Sequence, residues 1–324
     1  MIRAHLRYPP EEEAQERLQK ILHPNVQLSW GEEPPGDQRI SFLVDGRPDR
    51  ETLENHPELE VLIIPWSGVP GKTRRLLREF PEIQVHNLHH NAVATAELAV
   101  ALLVSTIKKI LPYDRTLREG DWCLRYQDDQ TLLLDGRQAL ILGYGAIGQR
   151  VGSVLKALGL EVKAVRRNPD RDQDQGVLVY PPEKLGELLP GTQVLILSLP
   201  LTEETRGLIG EEELDQLPPD AVLVNVSRGP IIDQKALYRA LREGKIFGAG
   251  LDVWYNYPDA VEERKDTPPA DYPFHELDQV VLSPHRGGKS PQVELLRMEA
   301  LAASLNAAAL GNPIPNAVDL DLGY

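Results

Sequence analysis

Short apolar runs alternate with longer amphipathic stretches along most of this chain. Stretches at 2–7, 26–30, 40–44, 61–64 and 84–87 have the length of strands, and 61–64 is apolar throughout. Between them, 11–22 carries Ala14, Leu18 and Ile21 at helical spacing, a short helix starts at Asp49 and includes Thr52 and Leu53, and a further helix covers 73–79. The Gly- and Pro-rich segments 31–37 and 65–71 read as turns, the second at the carboxyl end of a strand. Alternation of this kind builds a parallel sheet covered on both faces, so residues 1 to about 90 form a first α/β unit.

The next segment, 92–111, is the longest helical pattern in the first part of the chain, rich in Ala, Val and Leu, and Pro112 is expected to end it. Residues 120–130 read as a loop. A second series of strands follows at 138–142, 162–165, 194–199, 221–226, 249–253 and 280–282, with helices at 149–158, closed by Gly159, and at 234–243. Six strands with helical crossovers match a doubly wound sheet. Residues 259–273, dense in charge and Pro, read as an exposed loop. A last helix at 294–310 lies beyond this second series and can return to pack on the first unit. The expected organisation is therefore α/β, two Rossmann-like doubly wound parallel-sheet domains. A discontinuous, flavodoxin-like substrate domain of 1–111 plus 289–324 encloses an inserted dinucleotide-binding domain of 112–288.

Composition adds exclusions. The 324 residues suffice for two domains, and 41% are apolar. The formal charge is −14 without a basic block, which argues against a nucleic-acid surface. One cysteine, Cys123, allows no intramolecular disulfide, and nothing beside it in sequence activates a thiol. The amino terminus lacks the apolar run of a signal peptide, and no run of 18 apolar residues can span a membrane, so a cytoplasmic location is expected.

The chemistry begins at GYGAIG (143–148), which follows the strand at 138–142 and opens a helix. Gly143 allows a sharp turn, Gly145 lets backbone approach a pyrophosphate, and Gly148 lets the helix pack close to the strand. The helix start offers N–H groups to phosphate. An acidic residue about 20 positions on normally binds the ribose of NAD. Here Arg166 stands 18 residues past Gly148, followed by Arg167. A guanidinium can bind a 2′-phosphate bidentately, so NADP is the expected cofactor, with NAD possible; a solvated surface pair is the plainer alternative.

Five stretches then occur in order: GYGAIG (143–148), LPLTEETR (199–206), VNVSRGPIID (224–233), GLDV (250–253) and SPH (283–285). In these the chain resembles the D-isomer-specific 2-hydroxyacid dehydrogenases over roughly residues 60–290. The resemblance implies two Rossmann-like domains with a cleft between them, a homodimer, no metal, and a small 2-oxo or 2-hydroxy acid as substrate. It implies that Arg228 holds the substrate carboxylate and polarises its carbonyl, and that His285 is the general acid/base. It assigns Ser67, Gly68 and Val69 to a loop whose backbone receives the carboxylate. Asn91 either touches substrate or caps the helix that follows it. To the cofactor it assigns Gly143, Tyr144, Gly145, Ala146, Ile147, Gly148, Arg166, Arg167, Leu199, Pro200, Thr205, Val226, Ser227, Arg228, Asp252, His285 and Gly287.

One position departs from the family. The usual Glu, five residues after Asp252, is Tyr257. A Tyr carries no charge at pH 7; it can orient His285 by a hydrogen bond or simply pack, and Asp259 or Glu262 could take the place of the carboxylate. His89 and His90 form a pair without a third ligand, which argues against a metal. Trp66 and Trp254 could line the pocket, but burial in packing is expected for each. Two functions follow: an NADP-preferring oxidoreductase of the glyoxylate or hydroxypyruvate type, or a dinucleotide-binding regulatory or interaction protein of the same fold with weakened catalysis.

Overall fold

The computed structural model describes residues 1–34, 39–127, 131–169 and 176–322. Parts of the turn expected at 31–37, of the loop at 120–130 and of the final domain segment lie outside the described residues. The chain divides into two compact units, residues 1–91 with 289–324, and residues 92–288.

In the first unit, strands β1 (Ile2–Leu6), β2 (Val26–Trp30), β3 (Phe42–Val44), β4 (Val61–Ile64) and β5 (Gln84–Asn87) form one parallel sheet in the order β2-β1-β3-β4-β5. Helices α1 (Glu12–Ile21), α2 (Arg50–Glu54) and α3 (Gly71–Leu77) connect them. The period-2 rule is plain in β4, where Val61 and Ile63 join one core and Leu62 and Ile64 the other. Asp49 caps α2 by accepting from Thr52 N–H at 2.7 Å.

The second unit opens with α4 (Ala92–Ile107) and α5 (Ile110–Arg118). Here the structure corrects two expectations. Pro112 does not end a helix. Lys109, at φ 51°, breaks the chain first, and Pro112 sits in the first turn of α5, where a missing N–H costs nothing. The domain boundary also falls at Asn91/Ala92 rather than after Leu111. The reason is packing: Ala96, Ala99, Leu102, Leu103 and Ile107 of α4 share a core with Ala139, Ile141 and Val222 of the second sheet. Gly250 permits this approach, since a Cβ there would lie 2.7 Å from that of Leu102.

That sheet contains β6 (Gln138–Leu142), β7 (Glu161–Val165), β8 (Leu178–Tyr180), β9 (Val194–Leu197), β10 (Val222–Asn225), β11 (Gly248–Leu251) and β12 (Val280–Leu282). The order is β12-β11-β10-β9-β6-β7-β8, all parallel. There are seven strands among the described residues, not six. The additional one, β8, is a three-residue edge strand in the short apolar run VLVY (177–180), and its Leu178 is 62% exposed. Helices α6 (Ala146–Ala157), α7 (Leu185–Leu188), α8 (Glu211–Gln216) and α9 (Gln234–Arg242) link the strands. The last helix, α10 (Pro291–Ala309), belongs to the first unit, where Met298, Leu301, Ala302 and Leu305 pack with Ala14 and Leu18 of α1. The tail after α10 covers the β5 edge, with an antiparallel bridge between His86 and Ala317.

Candidate active site

The glycine turn leaves β6 and enters α6, and each glycine meets a different constraint. Gly143 has φ 93°, and a Cβ there would lie 2.6 Å from Leu199 N. At Gly148 a Cβ would meet Gly143 O at 2.2 Å. A Cβ on Gly145 would meet nothing within 4 Å. The first two glycines thus serve internal packing, and the third keeps backbone open on the outer side, beside the amino terminus of α6 and its unpaired N–H groups. That shape fits a pyrophosphate. Tyr144 turns its ring inward and is 3% exposed, with its ring edge against Gly152, so only its backbone belongs to the turn. Ala146 and Ile147 form the first turn of α6.

Sheet order places the turn at a switch point. Strand β6 lies between β7 and β9, and ligands in such sheets bind at the carboxyl ends of the strands there. After β7, Arg166 folds over its own loop, donating from Nε to Asn168 O at 2.7 Å and from Nη2 to Pro169 O at 3.1 Å. Arg167 pairs with Glu204, 2.5 Å away, on the segment after β9. On that segment Thr205 Oγ1 donates to Pro200 O at 2.7 Å, which closes the turn that follows Leu199.

The catalytic candidates stand after β10, β11 and β12. Asn225, the last residue of β10, accepts from Ser227 N–H and donates to Arg228 O, both at 3.0 Å. Ser227 Oγ donates to Leu199 O, and Val226 is buried. These bonds hold Arg228 in extended backbone, while Gly229 lets the chain press against Trp254 O. The Arg228 side chain reaches solvent, yet desolvation by surrounding protein lowers its pKa and the nearby Tyr257 phenol raises it.

Asp252 follows β11 and is 1% exposed. Its Oδ1 accepts from Ser283 Oγ at 2.5 Å and from Arg286 N–H at 2.8 Å, and its Oδ2 accepts from Gly287 N–H at 2.9 Å. The loop so held carries His285 at φ 57°, a left-handed conformation that costs a non-glycine residue about 1 kcal/mol. Gly287 is needed for the approach, because a Cβ would lie 2.9 Å from Asp252 Oδ2. Tyr257 Oη lies 3.0 Å from His285 Nδ1 and accepts from Trp254 N–H, also at 3.0 Å. Burial raises the Tyr257 pKa, so the phenol stays protonated near neutral pH. Asp259 turns to its own segment, its N–H donating to Glu263 at 2.9 Å, and Glu262 opens the short turn Glu262–Lys265.

In the first unit, the loop with Ser67, Gly68 and Val69 is tied by buried Asn87, whose Nδ2 donates to Ser67 O at 2.7 Å. Asn91 directly precedes α4. Burial, then the charges of Arg297 and His89, lowers the His90 pKa to about 4, so its ring is neutral at physiological pH. Among the described residues no group of three or more His, Cys, Asp or Glu is placed to hold a metal ion. Cys123 is exposed, and its bond to Asp121 raises the thiol pKa, the opposite of activation. Trp254 is buried and donates Nε1–H to Ser283 O at 2.8 Å, but Trp66 is 36% exposed over Gly46, correcting the expectation of burial.

Asn225, Asn87 and Ser283 were not apparent as site residues from sequence. The available signal was positional: Asn87 and Asn225 are polar ends of apolar strands, where a parallel sheet places its ligand crevice.

The comparisons with known proteins agree with this class of site. Residues 100–287 match the family model described as D-isomer specific 2-hydroxyacid dehydrogenase, NAD binding domain. The glyoxylate reductase of Korarchaeum cryptofilum is 39% identical over 294 residues, covering 88% of this chain and 83% of the relative. A D-3-phosphoglycerate dehydrogenase of Archaeoglobus fulgidus is 32% identical over 290 residues, covering 89% of this chain and 52% of the relative. The crystal structure of a D-isomer specific 2-hydroxyacid dehydrogenase from Xanthobacter autotrophicus Py2, in complex with NADPH and MES, superposes with a TM-score of 0.80 at 25% identity, covering 99% of both chains. The chain belongs to the D-isomer specific 2-hydroxyacid dehydrogenase family and is an oxidoreductase of that family.

The glycine turn yields a test. Gly145→Ala is expected to melt within about 1 kcal/mol of the parent yet to lose at least tenfold in dinucleotide affinity, because its methyl occupies the phosphate side. Gly148→Ala is expected to lose several kcal/mol of stability by clashing with backbone. Urea melts and cofactor titration separate the two; equal melts would contradict the assignment.

Proposed function

We propose that this chain reduces a small 2-oxo acid of the glyoxylate or hydroxypyruvate type to the D-2-hydroxy acid, preferring NADPH and accepting NADH. The observation that carries the reading is the Tyr257–His285 contact at 3.0 Å. It engages Nδ1, and we take Nε2 as the nitrogen that meets the substrate. Kinship with glyoxylate reductases supports the substrate class, and the NADPH complex of the structural neighbour supports the cofactor.

Gly145, Ala146 and Ile147 would hold the pyrophosphate by backbone N–H groups, and Arg166 and Arg167 would serve the 2′-phosphate. Leu199, Pro200, Thr205, Val226, Ser227, Asp252 and Gly287, on the strand-end segments, would line the dinucleotide. The bound cofactor supplies the hydride. Arg228 binds the substrate carboxylate and draws electron density toward the carbonyl oxygen. His285 delivers a proton from Nε2 to that oxygen, and takes one back in the reverse direction. Ser67, Gly68, Val69 and Asn91 are assigned to substrate by the family resemblance.

We assign a homodimer as well, on a surface observation in the second unit. Helix α5 has no buried residue although its apolar and polar positions are segregated, and it exposes Ile110, Leu111 and Leu117, with exposed Trp122 and Tyr126 following. Sedimentation equilibrium at micromolar concentration is expected to give twice 36.2 kDa, and Leu117→Glu is expected to shift it toward the monomer.

The decisive test is a panel of 2-oxo acids run with NADPH and NADH in parallel. Turnover with at least one oxo acid and a loss of about 10²–10⁴ in kcat for His285→Ala are expected. No turnover with either cofactor would defeat the reading and leave the regulatory alternative. A second measurement concerns position 257. An acidic partner favours imidazolium, and reduction requires that protonated form, so activity falls as pH rises through the histidine titration. Tyr257→Glu is expected to move this alkaline limb of kcat/KM to higher pH; an unchanged limb would show that another carboxylate already serves His285.

A further inference from the structure

The Tyr257 hydroxyl has one hydrogen, and its surroundings decide where that hydrogen points. Trp254 N–H donates to Oη at 3.0 Å, and His285 Nδ1 lies 3.0 Å on the other side. Burial raises the phenol pKa, which keeps the hydrogen in place near neutrality. The charged groups facing the hydroxyl are Arg228, which has no acceptor to offer, and Asp252, whose oxygens already accept from Ser283 Oγ and the N–H groups of Arg286 and Gly287. With one lone pair of Oη taken by Trp254, a neutral His285 can meet the phenol in two ways. The phenol donates O–H to Nδ1, or it accepts a second N–H from Nδ1. The first joins the better donor of the pair, a phenol, to the better acceptor, an imidazole nitrogen.

We propose that Tyr257 is a positioning residue that holds neutral His285 in the Nε2–H tautomer, and that this biases the site toward binding the 2-oxo acid rather than the 2-hydroxy acid. The proposal rests on the assignment of Nε2 to the substrate made above. A carboxylate at position 257 does the reverse: it only accepts, so it selects Nδ1–H and leaves neutral Nε2 as a bare acceptor. An Nε2–H is a donor and matches a carbonyl oxygen. A bare Nε2 is an acceptor and matches the hydroxyl of a 2-hydroxy acid. The two arrangements differ most at a pH above the histidine titration, where imidazolium, a donor in either case, has gone.

When imidazolium forms, Nδ1–H becomes the donor and the phenol must turn its hydrogen away. Protonation at Nδ1 therefore breaks the Oη–H···Nδ1 bond and makes Nδ1–H···Oη, with no change in the number of protons on Tyr257. The return to oxo-acid-binding form needs Nε2 to keep its proton while Nδ1 gives one up to solvent. Tyr257 thus sets the direction of the site through hydrogen-bond polarity alone, without a charge.

The experiment uses the full chain with bound cofactor. Long-range ¹H–¹⁵N correlation spectra, with His285 assigned by its absence in His285→Gln, report the tautomer above the histidine titration. The wild type is expected to show Nε2–H, Tyr257→Glu to show Nδ1–H, and Tyr257→Phe to show a mixture. At the same pH, oxamate with NADPH and glycolate with NADP⁺ serve as the oxo-acid and hydroxy-acid probes. The ratio of oxamate to glycolate affinity is expected to fall by about fivefold in Tyr257→Glu, the worth of one exchanged hydrogen bond. Nδ1–H in the wild type, or the same tautomer in all three proteins, would overturn the proposal. So would an unchanged affinity ratio. If neither probe binds, the assignment of substrate to Nε2 falls, whereas the spectra still decide the tautomer.

Discussion

The Asp252 carboxylate is the constraint on which the site depends. It sits almost without exposure at the carboxyl end of β11 and gathers a hydroxyl and two backbone N–H groups from the segment after β12. A hydrogen bond to a charged acceptor contributes about 1.5–3 kcal/mol, and its loss leaves a buried charge uncompensated. Three such bonds outweigh the cost of about 1 kcal/mol for the left-handed backbone of His285. The backbone of the histidine is therefore held through its neighbours in sequence. Ser283 also accepts at its carbonyl from Trp254 Nε1–H, and Trp254 N–H in turn anchors Tyr257. One carboxylate thereby fixes both members of the Tyr–His pair relative to the ends of two adjacent strands.

A parallel sheet makes that economy possible. Each strand of the second unit ends on the same edge, so consecutive crossovers deliver Gly143, Leu199, Asn225, Asp252 and Ser283 to one rim although they are far apart in sequence. Backbone bonds continue the register past the strands: Ser198 N–H to Leu142 O, Val226 N–H to Leu197 O, Asp252 N–H to Asn225 O and Ser283 N–H to Leu251 O. Each functional loop thus starts from a fixed point. Its first polar residue then turns back to bind a neighbouring loop, as Asn225 and Asp252 do.

Much of this was legible in the sequence because buried parallel strands are continuous apolar runs and the glycine turn has a fixed spacing. Strands at 138–142 and 280–282 fall where the pattern places them. The failures have physical causes. The edge strand β8 is marked only by the four-residue apolar run VLVY (177–180), and at three residues it is shorter than the strands that the pattern brings out. Helix α4 is apolar on nearly every side, so its pattern does not reveal which sheet it covers; the small residues opposite it, Gly248 and Gly250 among them, decide that, and their role is visible only in space. Pro112 reads as a helix stop and is a helix start, because the break comes from the left-handed Lys109. Of the candidate site, the motifs that carry Arg228 and His285 were legible. The positioning bonds of Asn87, Asn225 and Trp254 were not, since a polar residue at a strand end has many possible partners.

The substitution of Tyr for Glu at position 257 also changes the electrostatics around Arg228. The chain carries a net charge of −14, and its proposed substrate and cofactor are anions. Long-range attraction cannot gather them, so local positive potential must, and the Debye length of about 8 Å at physiological salt confines the rest of the surface to a weak background. Tyr257 and Arg228 lie close enough to influence each other's ionisation. A carboxylate in that place would neutralise part of the Arg228 charge and compete with the substrate carboxylate for the same guanidinium. A phenol exerts no such competition. What the site gives up in imidazolium population at high pH, by lacking a negative partner for His285, it recovers as undiluted positive charge at Arg228. A neutral residue at position 257 is thus compatible with catalysis where anchoring of a small anionic oxo acid matters more than holding imidazolium at high pH.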